Sequence, residues 1–378
     1  MRRILLLTGA IVLVDTLFFA ALTPLLPHYA HRLGLGKAGA GLLAASYPLG
    51  ALAGSIPSGI VAARLGVKPT VLAGLTVVAL TTALFGIAGT AWELDLARFC
   101  QGLASAFSWT GALAWLVAAA PAGRRGALIG QAFAFAVCGA LLGPVLGGIA
   151  SIGGTGWTFG AVAAASLGLA LWAAATSVSR PEQPQPIGAL MRAFRDRRVL
   201  LGVWFVVLPA LLFGTLGVLA PLRLSALGVG AIGIGSIWLF TGALEAVNNL
   251  LIGRVSDRRG PLVPIRVALV ATVIVASLLP WAAHSRYVLA ALIVCGGLAF
   301  GAFYTPGMTL LTHTAEERGL DYGYAFALVN LAWAPGQSMG AAVGGAVAQA
   351  TSDAVPYLTL AGVALLTLAG LWRFRRSS

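Results

Sequence analysis

The chain is a succession of long apolar segments separated by short polar breaks. Stretches of about 20 apolar residues, long enough to cross a bilayer as a helix, recur from one end of the sequence to the other. Breaks at glycine, proline and clustered charge divide them into candidate helices. The predicted spans are 4–26, 39–62, 70–89, 94–117, 126–150, 157–177, 199–222, 231–253, 263–283, 287–312, 322–348 and 354–373. The pattern therefore predicts an all-α membrane protein with twelve transmembrane helices.

A single polar stretch separates six of these spans from the other six. It holds Pro181, Pro184 and Pro186 and then four arginines between positions 192 and 198. No other segment is polar enough to act as a linker. We expect an N-terminal six-helix bundle at 1–178, a cytoplasmic linker at 179–198 and a C-terminal six-helix bundle at 199–378.

The two halves carry repeated motifs. A loop motif recurs 194 positions later, with Gly59, Arg64 and Gly66 matching Gly253, Arg258 and Gly260. Four glycines of the fifth span recur 197 positions later in the eleventh, with Gly139, Gly143, Gly147 and Gly148 matching Gly336, Gly340, Gly344 and Gly345. A duplicated six-helix half is typical of secondary transporters, whose substrate site lies between the halves near mid-membrane. The repeats predict two pseudo-symmetric bundles.

Basic residues are unevenly distributed between the two sides of the predicted bundle. The side of the termini carries 19 of the 24 Lys and Arg residues, whereas the opposite loops carry only Arg32, Lys37, Arg223 and Arg286. The positive-inside rule then places both termini in the cytoplasm. The net charge of +13 thus reflects topology, and we expect a lipid partner and no nucleic acid.

Composition agrees with an integral membrane protein. The chain is 59% hydrophobic and only 9% charged, against about 25% charged residues in soluble domains. Because Asp15 interrupts the first apolar run and further spans follow, we interpret that run as a retained helix rather than a signal peptide. The excess of arginine over lysine favours the cytoplasmic membrane of a prokaryote.

Two acids lie deep in predicted spans. Asp15 is a lone carboxylate in the first, and such a group usually lines a proton relay, a water-filled path or a ligand site. A structural acid bonded to a neighbouring helix is the alternative. Glu245 lies in the eighth span with Asn248 and Asn249 about one turn away, on a plausible polar face. It is either a structural acid satisfied by those amides or by a neighbouring group, or a second site for a proton or cation.

Arg98 is the one basic residue deep in a span, and arginine stays charged. It therefore needs a carboxylate, carbonyl oxygens or water beside it, and Asp95 is one candidate. Five aromatic residues could line a cavity, although most aromatics in a membrane bundle face lipid or packing: Tyr47, Phe107, Trp109, Tyr304 and Trp333. Together with Asp15 they would suit a flat, hydrophobic cation through ring-face attraction.

The sequence gives little support for disulfides, metal sites or enzyme activity. The three cysteines lie in apolar segments, so they indicate neither a disulfide framework nor a metal site. No Ser/His/Asp, metal or phosphate-loop constellation is present. We therefore expect no enzyme activity and no cofactor, with a proton gradient as the source of energy.

The glycines of the fifth span form a stripe. Gly139, Gly143 and Gly147 are spaced by four, which lets another backbone approach closely, and Pro144 bends the helix. The stripe serves ordinary tight packing. It could in addition, like Gly336, Gly340 and Gly344 in the eleventh span and Gly50 and Gly54 in the second, let helices slide across the seam between the bundles.

These motifs resemble those of the major facilitator superfamily. Gly130 followed by Gly139, Gly143-Pro144 and Gly147-Gly148 resembles its antiporter motif, in which a glycine precedes G-x-x-x-G-P-x-x-G-G by nine positions. Leu94-x-x-x-Arg98-x-x-Gln101-Gly102 is similar to the fourth-helix motif of its drug:proton antiporters, which implies a part for Arg98 in proton coupling. Gly59–Lys68 resembles the loop motif after helix two. Its second copy keeps Asp257 beside Arg258, and in the family that acid helps latch one conformation.

A second resemblance concerns the first and eleventh spans. Asp15-Thr-Leu-Phe-Phe with Pro24 and Pro27 resembles the first helix of vesicular monoamine transporters and their bacterial relatives. Tyr322–Asn330 is similar to their eleventh helix, with Asn330 standing where they carry an acid. The resemblance implies that Asp15 engages a cationic amine.

The sequence thus predicts a proton-coupled exporter of hydrophobic or cationic small molecules that works by alternating access, as a monomer. Export of a neutral metabolite or sugar, with Asp15 acting only as a proton carrier, is one alternative. A non-transporting membrane sensor that has kept the fold is another, because fold alone never proves activity.

Overall fold

The computed structural model describes residues 1–121, 124–177, 196–317 and 322–374, and within these ranges it is helical with no strand. The helices are α1 Arg2–Arg32, α2 Lys37–Leu65, α3 Val67–Ile87, α4 Ala91–Ala119, α5 Arg125–Gly153, α6 Thr155–Ala174, α7 Arg197–Ala226, α8 Ala231–Arg259, α9 Leu262–Leu278, α10 Arg286–Gly301, α11 Tyr304–Glu317, α12 Tyr322–Ala350 and α13 Ala354–Phe374. A 3-10 helix, Leu279–His284, extends α9. Since α10 and α11 share the tenth span, helices occupy all twelve predicted spans, and among the described residues eleven of these spans are long and apolar enough to cross a membrane.

The tenth span departs from the prediction of one continuous helix. The α-helix stops at Gly301 and resumes at Tyr304, and the Phe303 N–H bonds to the Phe300 carbonyl in a three-residue turn. Pro306 supplies the reason, because proline has no N–H for a carbonyl one turn earlier and its ring clashes with that turn. The prediction of an unbroken span was wrong, and the break lies near the middle of the tenth span.

Several helix ends follow directly from the sequence. The repeated loop glycines Gly66 and Gly260 end α2 and α8 with φ of 96° and 80°, a conformation that costs glycine little. Asp196 caps α7 by accepting a hydrogen bond from the Arg198 N–H at 2.8 Å. Because of that cap, α7 begins at Arg197, two residues earlier than predicted. Residues 179–195 of the predicted linker lie outside the described residues.

The glycine stripes pack helices within each half. Cβ atoms added at Gly139, Gly143 and Gly147 would collide with the backbone or side chains of α1, and ones added at Gly336, Gly340 and Gly344 would collide with α7. Gly50 and Gly54 approach α4 in the same way. The expectation of ordinary tight packing is confirmed, whereas the additional possibility that these stripes lie on the seam is wrong for these glycines. Each stripe packs two helices of the same half closely together. The contact of α5 with α1 and that of α12 with α7 are equivalent by the sequence repeat.

The last glycine of each repeated motif does lie on the seam between the halves. Gly345 of α12 lies against Gly41 of α2, where an added Cβ would come within 3.2 Å of the Gly41 Cα. Its counterpart Gly148 faces Ile232 of α8 at 3.6 Å by the same measure. Neighbouring glycines of one motif therefore have different partners, the first within its own half and the second across the seam.

Polar contacts join the halves at the same end of the molecule. Lys37 of α2 forms an ion pair with Asp353 at 2.5 Å, and the Ala38 N–H donates to Gln349 Oε1 at 2.9 Å. This end, where α1 ends and α2 begins, is called the closed face below. It is opposite the face that carries the chain termini.

Candidate functional site

Asp15 is held by two neighbouring helices. One oxygen, Oδ2, accepts hydrogen bonds from the Tyr47 hydroxyl of α2 at 2.9 Å, the Ser105 hydroxyl at 2.7 Å and the Trp109 indole N–H at 2.6 Å. Ser105 and Trp109 are one turn apart on α4, so they present their donors on one face. Asp15 itself is only 6% exposed. Three converging donors stabilise the charged form of the carboxylate and fix its orientation.

The second oxygen of Asp15 has a different environment. Oδ1 accepts no hydrogen bond from the described residues, and it is not among the side-chain atoms that are sealed from solvent without a partner. It therefore keeps its hydrogen-bonding capacity for water or a ligand. One oxygen of this carboxylate anchors the side chain and the other is available.

Arg98 lies in a cage of aromatic rings and carbonyls near Asp15. Its guanidinium stands 4.8 Å from the centre of the Tyr47 ring and 5.2 Å from that of Phe18. Its terminal nitrogens face the carbonyl oxygens of Phe18 and Phe19 at 3.5 and 3.4 Å. Carbonyl contact, one of the two structural alternatives, is thus confirmed.

The other alternative, a pair between Arg98 and Asp95, does not form. Asp95 instead accepts a hydrogen bond from the Ser46 hydroxyl at 3.4 Å. The part of Arg98 in proton coupling remains a prediction.

Aromatic side chains connect the two halves in the middle of the molecule. Phe19 of α1 contacts Tyr47 with ring centroids 5.0 Å apart and Trp333 of α12 at 5.4 Å. The indole N–H of Trp333 is directed at the hydroxyl of Tyr304 on α11. We call Tyr47, Phe19, Trp333 and Tyr304 the aromatic bridge. It begins at the residue that bonds Asp15 and crosses the seam to the C-terminal half.

Glu245 lies at the far end of the aromatic bridge. Its carboxylate lies against Gly301 at the break between α10 and α11, so closely that a Cβ at position 301 would overlap it. Tyr304 stands near enough to interact electrostatically with it. The Asn248 amide donates to the Leu298 carbonyl at 3.2 Å instead. The expectation that these amides satisfy Glu245 is therefore wrong for Asn248.

Comparison with known proteins identifies the family. The model of the Major Facilitator Superfamily matches residues 8–337. The chain belongs to the Major Facilitator Superfamily. An uncharacterized MFS-type transporter of Yersinia pestis (strain Pestoides F) is 28% identical over 267 residues, covering 70% of this chain and 69% of the relative. One from Schizosaccharomyces pombe is 35% identical over 149 residues, covering 38% and 33%.

Solved structures of the superfamily share the fold of this chain. The partially occluded, inward open xylose transporter of E. coli has a TM-score of 0.76 at 14% identity, covering 98% of this chain and 97% of the other. A bacterial homolog of the human lysosomal transporter Spinster, inward-facing and unoccupied, has a TM-score of 0.74 at 17% identity, covering 93% and 82%. The predicted fold of two pseudo-symmetric six-helix bundles is confirmed, and this superfamily member is a multi-pass membrane protein of a transporter family.

Other predicted residues of this superfamily member fall outside the bridge. Phe107 and Asn330 are half-buried, and Asn330 lies one turn before Trp333 on α12. Gly130 has open space around it. The side chain of Asp257 lies outside the described residues, so its latching role stays a prediction. Arg64 and Arg258 of the two loop motifs are exposed at the ends of α2 and α8.

Two central residues were missed by the sequence analysis. Ser105 bonds Asp15, and Phe19 links Tyr47 to Trp333 across the seam. A signal for Ser105 was present, because Arg98, Gln101, Ser105 and Trp109 follow helical spacing on one face of the fourth span. No comparable signal marks Phe19 among the apolar residues of the first span.

Proposed function

We propose that this protein is a proton-coupled exporter of hydrophobic organic cations, of the drug:proton antiporter type. The observation that carries the proposal is the state of Asp15, with Oδ2 held by three donors, Tyr47 of the aromatic bridge among them, and Oδ1 without a donor among the described residues. A carboxylate fixed in this way attracts a positive charge without having to reorganise. Tyr47 and Phe19 already face the Arg98 guanidinium, so the ring faces of Trp333 and Tyr304 are the ones that favour a flat, apolar cation.

The surroundings of Asp15 support a cation more than a sugar. A sugar site pairs many substrate hydroxyls with polar side chains, because buried polar groups need partners. The bridge instead offers ring faces, with two hydroxyls and one indole N–H. Moreover, the Tyr47 hydroxyl already bonds Asp15, and the Trp333 N–H is directed at Tyr304.

We further propose that the face of the termini is cytoplasmic. The positive-inside rule supports this orientation. The closed face, with the Lys37–Asp353 ion pair and the Gly41–Gly345 contact, is then the outer face. These contacts across the seam support an inward-facing state, ready to receive a substrate from the cytoplasm.

Alternating access follows from this arrangement. A cation entering from the cytoplasm binds at Oδ1 of Asp15 and along the aromatic bridge. The contacts of the closed face then separate while the cytoplasmic ends approach, and the site opens outward. A proton taken up from outside removes negative charge from the site and releases the cation. The protonated protein returns to the inward-facing state and gives its proton to the cytoplasm.

Transport of tetraphenylphosphonium in proteoliposomes tests the proposal. With an acidic interior and the membrane potential clamped by potassium and valinomycin, wild type accumulates the cation and a protonophore abolishes the accumulation. Asp15→Asn keeps the shape of the side chain but loses the charge, and its accumulation falls to the level of empty vesicles. Undiminished accumulation by Asp15→Asn contradicts the proposal. Binding without flux in wild type would instead favour a sensor.

A further inference from the structure

Glu245 and Asn249 place two acceptors without donors at the C-terminal end of the aromatic bridge. No described residue donates a hydrogen bond to Glu245, and Asn249 Oδ1 is buried without a partner. The two side chains are one turn apart on α8, hence on one face of that helix. A sealed acceptor without a donor is costly, so Asn249 Oδ1 needs a donor, which a proton on the Glu245 carboxyl one turn away would supply.

The backbone next to these acceptors is also unusual. The helix of the tenth span is interrupted at Ala302 and Phe303, and Glu245 lies against Gly301 at the end of α10. Interrupted helices near mid-membrane form ion and substrate sites in secondary transporters, and the C-terminal end of a half-helix carries partial negative charge. The break adds a third feature that favours a positive charge beside Glu245.

We propose that Glu245 is the site of the coupling proton, distinct from the cation site at Asp15, and that its protonated carboxyl donates a hydrogen bond to Asn249 Oδ1. The inference rests on the proposed function, since it assigns the two tasks of an antiporter to two acids. Asp15, held by three donors, binds the organic cation. Glu245, without a donor, exchanges a proton with water in the cavity.

A proton suits this site better than a metal ion does. Hard cations such as Ca²⁺ take about six to eight oxygen ligands, whereas the described side chains offer Glu245 and Asn249. Of the groups packed around Glu245, Tyr304 on α11 is titratable, Asn248 and Asn249 on its own helix are neutral, and α10 contributes backbone at Gly301 and Leu298. No charged side chain of the described residues neutralises Glu245 in place of a proton.

The two acids are coupled because both interact with the positive charge of the bound cation. A cation on the aromatic bridge lies between Asp15 and Glu245 and is attracted by both while both are ionised. A proton on Glu245 removes one of these attractions and weakens cation binding. By linkage, cation binding drives the proton off Glu245 into the cavity water. One positive charge enters the site as another leaves.

Proton release on binding separates the two assignments. Tetraphenylphosphonium is added to purified protein in weakly buffered solution with a pH indicator, and its affinity is measured from mildly acidic to mildly alkaline buffer. Wild type releases a proton, and its affinity falls by up to about tenfold for each pH unit of acidification. Glu245→Gln, which mimics the protonated carboxyl, binds the cation about as weakly as acidified wild type does, releases no proton and has a flat pH profile between mildly acidic and mildly alkaline buffer. Glu245→Asp, which keeps a titratable group, restores proton release.

Each other outcome overturns a defined part of the account. Proton release of wild-type size that persists in Glu245→Gln would assign the proton to a group other than Glu245 and refute the inference alone. Failure of wild type to bind the cation refutes the proposed function and the inference together. A loss of affinity when sodium chloride replaces choline chloride at equal ionic strength would show a metal at Glu245 and refute the proton assignment.

Discussion

Trp333 of α12 contacts Phe19 of α1 edge to face, with ring centroids 5.4 Å apart and the planes inclined at 74°. The contact joins the two halves at the level of both intramembrane acids. On one side Phe19 meets Tyr47, which bonds Asp15, and on the other Trp333 points at Tyr304 beside Glu245. Because these rings belong to halves that move relative to each other in alternating access, a substrate bound here contacts both moving parts.

Loss of Trp333 weakens binding of organic cations in particular. In Trp333→Leu the affinity for tetraphenylphosphonium falls about fivefold, since a cation–π contact contributes about 1 kcal/mol. Isothermal titration measures it. Trp204→Leu is the matched control, because that indole bonds Thr367 and lies outside the bridge. Equal losses in the two variants would show that the bridge does not bind the cation.

Removal of one donor from Asp15 changes the pH range of cation binding. Trp109→Phe deletes a hydrogen bond to a charged group, which is worth about 1.5–3 kcal/mol. The charged form of Asp15 loses that stabilisation, so the carboxyl keeps its proton up to a higher pH. In the Glu245→Gln background, the pH below which binding is lost therefore rises by about one unit or more.

The control for that experiment lies on the same helix. Trp115 is buried in α4 and its indole N–H has no described partner. Trp115→Phe makes the same chemical change without touching Asp15, so the acid limit of binding stays where it is. A shift of equal size in Trp115→Phe would attribute the effect to packing.

Gly345→Ala opens the closed face. The added methyl group would overlap the Lys37 carbonyl and crowd the Gly41 Cα, so the contact between α2 and α12 loosens. Spin labels at Trp92 and Trp281, two exposed positions in opposite halves near that face, then report longer distances. Gly362→Ala serves as the control, because open space surrounds that glycine in α13. An unchanged distance distribution in Gly345→Ala contradicts the assignment of the seam.

The Lys37–Asp353 ion pair contributes to the same closure. Both side chains are partly exposed, 38% and 25%, and such pairs are worth at most about 1 kcal/mol. Lys37→Ala therefore shifts the equilibrium between closed and open outer faces by about fivefold at most, toward the longer spin-label distances. The swap of Lys37→Asp with Asp353→Lys restores the wild-type distribution, whereas a purely steric effect of residue 37 leaves it shifted.

Much of the fold is predictable because the bilayer constrains the sequence strongly. Span lengths, the duplication and the spacing of Gly139, Gly143 and Gly147 all follow from the requirement for apolar, closely packed helices. The partner of a small-residue stripe does not follow, because close approach is equally good against any helix. That is why the sequence left a place on the seam open for this stripe, although it packs α5 on α1. The break before Pro306 was visible in the sequence and was overlooked.

The site was predictable only in part. Intramembrane charge singled out Asp15, Glu245 and Arg98, because each is costly and therefore conspicuous. The contacts that give them roles join residues far apart in sequence, as when Lys37 meets Asp353 or Phe19 meets Trp333. No periodic pattern encodes such pairings. The absence of a described hydrogen-bond donor to Glu245 is likewise a property of packing, and the amino-acid composition does not predict it.

The pH inside proteoliposomes, followed while substrate is added outside, tests the central claim most directly. With no initial gradient and the membrane potential clamped, tetraphenylphosphonium enters through wild type in exchange for protons and the interior becomes more alkaline. D-xylose leaves the internal pH unchanged, and Asp15→Asn abolishes the response to the cation. A pH change driven by xylose and not by the cation, or an unimpaired response in Asp15→Asn, contradicts cation–proton exchange through Asp15.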